Sequence, residues 1–135
     1  MSVLKKLKKW WTWWLGELRP GRDVVVRREK ADSDAVTIRI VEWGASDLVV
    51  ELAHRNDLYS MTAVMYELCG AAEMRTRTKI MTDVVLTYTP AGGAPQVIRV
   101  PDWAVRPLLT RLVLTARELG WRGQCPRPAT ATAYR

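Results

Sequence analysis

Apolar residues at the amino end recur at helical spacing. Across residues 3–18, Val3, Leu4, Leu7, Trp10, Trp11, Trp14, Leu15 and Leu18 share one arc of roughly 140° on a helical wheel, with Lys5, Lys6, Lys9, Thr12 and Glu17 opposite. Pro20 and Gly21 stop this predicted helix and open a connector. The period then changes to two. RDVVVRRE (22–29) is rich in β-branched residues, VTIRIVEW (36–43) sets Val36, Ile38 and Ile40 on one face, and LVVELA (48–53) does the same with Leu48, Val50 and Leu52. With turns at KADSD (30–34) and GASD (44–47), the pattern predicts an antiparallel meander.

Helical spacing returns in 58–74, where Leu58, Met61, Met65, Leu68 and Ala72 form a stripe behind a cap at Asn56 or Asp57. IMTDVVLTY (80–88) and QVIRV (96–100) flank the turn PAGGAP (90–95) as a hairpin. A last helix is predicted to run from Asp102, or from Pro107 as a first-turn proline, to about Leu119, with Gly120 as its stop. GQCPRPATATAYR has no periodicity and predicts a mobile tail. The order α-βββ-α-ββ-α predicts a two-layer α+β fold, a mostly antiparallel five-stranded sheet covered by helices. Three segments are expected: an amphipathic helix and connector over 1–21, an α+β domain over 22–121, and a flexible tail over 122–135.

This order over about residues 3–120 resembles the fold of the type III secretion chaperones and the YbjN-like domains. The likeness implies a protein that pairs with a second copy and binds segments of other proteins. It rests on topology, so no site residues are carried over, and the basic charge here departs from the usual acidity of those chaperones.

Composition changes the picture chiefly through charge. The formal net charge is +7 over 135 residues. Lys5, Lys6, Lys8, Lys9, Arg19 and Arg22 oppose only Glu17 in residues 1–22, Arg122, Arg127 and Arg135 are unopposed in 122–135, and 23–121 is nearly balanced. Anion attraction therefore belongs to the two ends. Arg outnumbers Lys and Phe is absent, as in products of GC-rich genomes. Cys69 and Cys125 lack metal-ligand spacing and predict no disulfide framework, which suits a reducing compartment. The uncharged run WWTWWLG is too short for a signal peptide, and no window approaches the roughly 18 apolar residues of a membrane span.

Candidate chemistry is sparse. The single histidine, His54, stands three residues before Asp57, a spacing that suits capping better than a base and its orienter. No nucleophile elbow, P-loop or dinucleotide fingerprint occurs, and the acids and cysteines make no zinc or calcium spacing. No enzyme activity, cofactor or metal is expected. Glu42, Glu51 and Asp83 are read as surface acids on outward strand positions. Arg75, Arg77 and Lys79 in RTRTK form an internal anion-binding candidate, and Trp43 is available for stacking on a base, which together make nucleic acid a third-ranked partner.

The amino-terminal helix offers the sharper signal. Lys5, Lys6, Lys8 and Lys9 supply charge, and Leu7, Trp10, Trp11 and Trp14 an apolar face rich in indoles, which favour the headgroup boundary of a bilayer. Lysines in the first turns oppose the helix dipole, so an external anion would relieve them. The expectation is a non-enzymatic binding or adaptor module, cytoplasmic and peripheral on the inner membrane face, whose first helix contacts an anionic membrane surface or an acidic protein partner. The competing expectation is a chaperone-like homodimer with that helix packed in the fold.

Overall fold

The computed structural model describes residues 21–75 and 82–135, without the side chains of 71–75. Period-two apolar stretches form β1 (Arg22–Arg28), β2 (Val36–Glu42) and β3 (Leu48–Leu52), followed by helix α1 (Arg55–Arg75). Strands β4 (Val84–Tyr88) and β5 (Gln96–Val100), helix α2 (Asp102–Glu118) and strand β6 (Ala131–Tyr134) complete the described elements. The fold is α+β, and the first predicted helix lies outside the described residues.

The strands form two antiparallel three-stranded sheets, ordered β1-β2-β3 and β5-β4-β6, instead of the expected single sheet of five. The reason lies in the partner of β4. One edge of β4 pairs with β5, and the other is taken by β6, with Tyr88 opposite Ala131 and Val85 opposite Tyr134. β4 is thereby central in its own sheet and has no edge to offer the meander. The stretch expected to be a mobile tail thus supplies the sixth strand.

The inward rows follow the alternation read from sequence. Val24, Val36, Ile38, Ile40, Val50 and Leu52 from the first sheet, and Val84, Leu86, Tyr88, Ile98 and Val100 from the second, are buried with Leu58, Met61 and Met65 of α1 and Leu108, Leu109 and Leu112 of α2. Helix α1 packs on α2, β6 and β3, and α2 packs on β1, so one core serves both sheets. Each fully buried large aliphatic contributes about 1.5–3 kcal/mol.

The helix ends show how local chemistry sets boundaries. Asp57 reaches back from the first turn of α1: its Oδ2 accepts from the His54 N–H at 3.3 Å, while its own N–H donates to the His54 carbonyl at 3.0 Å. The cap residue is therefore His54, one turn before the predicted start at 58. Near the other end Gly70 takes φ 68 and ψ 168, a region open to glycine alone, and breaks the helix. Helix α2 begins at Asp102, whose N–H donates to Asp83 Oδ1 at 3.1 Å, and Pro107 falls inside it. Its exit is a Schellman turn, with Trp121 N–H donating to Ala116 and Gly120 N–H to Arg117, and Trp121 buried behind it.

Candidate binding surfaces

The amino-terminal candidates Lys5, Lys6, Leu7, Lys8, Lys9, Trp10, Trp11 and Trp14 lie outside the described residues, as do Arg77 and Lys79. Arg75 is the last backbone position of α1. What the structure describes is the place where the amino-terminal segment joins the body. Gly21 leads into β1 and is paired with Trp43, whose N–H donates to the Gly21 carbonyl at 2.6 Å. The Trp43 side chain is 85% exposed. A Cβ on Gly21 would stand 2.8 Å from the Trp43 Cβ, and φ there is +87, so glycine is required for this close pairing. Beside it, the Arg22 guanidinium lies 5.2 Å from the Trp103 ring centroid and 3.2 Å from Glu42 Oε1. Glu42 shares the inward parity of Ile40 and is held at the strand end by Arg22, a correction to its reading as an outward acid.

A second surface runs along β1. A groove of about 380 Å³ is lined by Asp23, Val24, Val25 and Val26 together with Arg111, Leu114, Thr115 and Glu118 of α2. Because these four consecutive strand residues alternate between faces, the groove must meet the backbone edge of the strand. Leu114 projects there, 56% exposed. The ladder tells which backbone groups point outward. Trp43 N–H donates to the Gly21 carbonyl and Glu29 N–H to the Ala35 carbonyl, so by alternation Asp23, Val25 and Arg27 bond to β2, and the N–H and C=O groups of Arg22, Val24, Val26 and Arg28 face the open side. Among the described residues no backbone group pairs with them. Another groove, of about 420 Å³, lies between α1 and β6, lined by Val64, Glu67, Leu68, Thr132 and Ala133.

His54 and Asp57 are engaged in structure. Asp57 is buried, and besides capping α1 it accepts from Tyr88 Oη at 3.0 Å and from Thr130 Oγ1 at 3.0 Å. Burial first, and the Asp57 carboxylate second, push the Tyr88 phenol up to about 12. His54 is exposed, and the carboxylate that would orient it serves the cap instead. On the surface, the bidentate Arg55–Asp34 pair, 2.9 and 3.0 Å, holds the Asp34 carboxyl below its ordinary value. Cys69 is buried, Cys125 is exposed, and no disulfide joins them. Among the described residues no cluster of His, Cys, Asp and Glu is placed to hold a metal ion, and no helix is long and apolar enough to cross a membrane.

Trp43 is visible in the sequence as an aromatic, but its pairing with Gly21 is not, and the β1 edge carries no sequence signal. Strand parity identifies a buried face and is silent about which strand stands at the edge of a sheet. No family model, curated protein or solved structure matches the chain. The element order behind the resemblance to the secretion chaperones is met only in part, since a sixth strand follows the last helix and the strands divide into two sheets.

Proposed function

We propose that the protein is a non-enzymatic binding module whose amino-terminal segment contacts an anionic membrane surface. The observation that carries this reading is the exposed Trp43 indole paired to Gly21, at the point where the Lys- and Trp-rich stretch enters the body. An exposed indole at that entry offers the folded domain's own contribution to a headgroup boundary, the chemistry that the Trp-rich sequence before it also suits. Lys5, Lys6, Lys8 and Lys9 each contribute about 1 kcal/mol near anionic lipid, and the nearly neutral body adds no opposing field.

Co-sedimentation of the full chain with vesicles tests this. Vesicles containing phosphatidylserine are expected to carry the protein down, and pure phosphatidylcholine vesicles to leave most of it in solution. Replacing Lys5, Lys6, Lys8 and Lys9 by Glu abolishes the difference, and Trp43→Ala weakens binding several-fold with an unchanged circular dichroism spectrum. Equal sedimentation of the wild type and the quadruple variant overturns the reading.

A further inference from the structure

We propose that the open edge of β1 is the seat of a second copy of this chain, the two β1 strands pairing antiparallel about a two-fold axis at Val25. The first support is the edge itself. The outward-facing groups of Arg22, Val24, Val26 and Arg28 form a row four residues long beside an apolar side chain, Leu114, and the strand carries no proline or bulge to discourage pairing.

The second support is charge complementarity, which selects both the occupant and the register. A symmetric antiparallel pairing must centre on a residue to set outward-facing groups opposite one another, and of these centres Val24, Val25 and Val26 keep most of the strand paired. Centring on Val24 sets Asp23 opposite the partner's Val25. Centring on Val26 sets Asp23 opposite the partner's Glu29, acid against acid. Centring on Val25 sets Asp23 opposite the partner's Arg27 and, by symmetry, Arg27 opposite the partner's Asp23, with Val24 against the partner's Val26.

These two ion pairs occupy the non-hydrogen-bonded positions of the new ladder, where opposed side chains come closest. The same register sets Arg22 opposite the partner's Arg28. Both cations are already engaged, Arg22 by Glu42 and the Trp103 ring, and Arg28 by the carbonyls of Ala31 and Ser33 at 2.7 and 3.3 Å. The product is a continuous six-stranded sheet, β3-β2-β1 from each protomer, that removes one exposed edge from each.

Sedimentation velocity on the full chain tests the state, and a cysteine tests the register. The wild type is expected to sediment as a dimer at micromolar concentration. Arg27→Asp, which faces acid against acid twice, raises the dimer dissociation constant at least tenfold with an unchanged circular dichroism spectrum. The double exchange Asp23→Arg, Arg27→Asp restores it. In a Cys125→Ser background, Val25→Cys places two thiols at self-paired positions with Cα atoms about 4.5–5.5 Å apart, within disulfide range, so oxidation yields a covalent dimer, whereas Val97→Cys on β5 does not. A monomeric wild type whose Val25→Cys form fails to cross-link overturns the proposal and leaves the edge to residues 1–20 or to a foreign strand. A dimer indifferent to Arg27→Asp overturns it as well.

Discussion

Asp57 illustrates how one side chain joins three parts of the chain. Its oxygens receive the His54 N–H from the start of α1, the Tyr88 hydroxyl from β4 and the Thr130 hydroxyl from the entry to β6. A carboxylate only 5% exposed is tolerable because all three partners are donors. Asp57→Ala strands them and removes the cap, and urea unfolding is expected to show a loss of at least about 3 kcal/mol. Tyr88→Phe, which keeps the ring and deletes one donor to the carboxylate, costs about 1–3 kcal/mol. Alkaline pH gives an independent check. The folded phenol titrates near 12 and the unfolded one near its ordinary 10.0, so the stability due to the neutral phenol is intact below pH 10 and lost as pH rises toward 12. Thermal melts of the wild type therefore fall across that window, and Tyr88→Phe flattens the fall. None of this was legible from residue spacing: Asp57 was readable as a cap, but its partners stand 31 and 73 positions away.

Among elements, those with a strong period were legible and the short irregular one was not. The β1-β2-β3 meander, the β4-β5 hairpin and both described helices follow from apolar spacing and turn residues, with ends displaced where a cap lay outside the stripe, as at His54. β6 escaped because its inward row is Ala131 and Ala133, too small to register as a hydrophobic face, behind a stretch holding Pro126 and Pro128. Its anchorage is nonetheless specific. Thr89 N–H donates to Thr130 O at 2.9 Å, Thr130 N–H to Ser60 Oγ at 3.2 Å, and Trp121 Nε1 to Gln124 O at 2.7 Å. Thr132 is opposite Thr87 at a hydrogen-bonded position of the ladder, so Thr132→Pro leaves a backbone partner unpaired and lowers stability by roughly 1–3 kcal/mol in the same urea assay. Ala133→Pro, whose N–H faces the open side, is the milder change.

At the scale of the whole molecule, the division of charge sets the expected salt response. With the body near neutrality and the cations at the ends, the proposed vesicle association would be a contest between lysines and counterions, screened over about 10 Å at 0.1 M salt. Raising salt from about 0.1 to 0.5 M should weaken binding to phosphatidylserine vesicles at least tenfold, measured by the same co-sedimentation. This charge division was readable directly from residue order, because it depends on sums over long segments and not on packing. The separation into two sheets was not, since it turns on which strand captures the far edge of β4.

The span of the Asp57–Thr130 bond also bears on the sequence of folding events. Hairpin turns close the meander over a few residues, whereas this contact must bring together positions 73 apart, and closure entropy grows as about (3/2)RT ln n. The meander can assemble early from neighbours, and the β4–β6 ladder must wait for β5, α2 and the Schellman turn to return the chain. Until then β4 has β5 on one side and an unfilled edge on the other, which makes the nascent second sheet the stage at which an intermolecular mispairing has its opportunity.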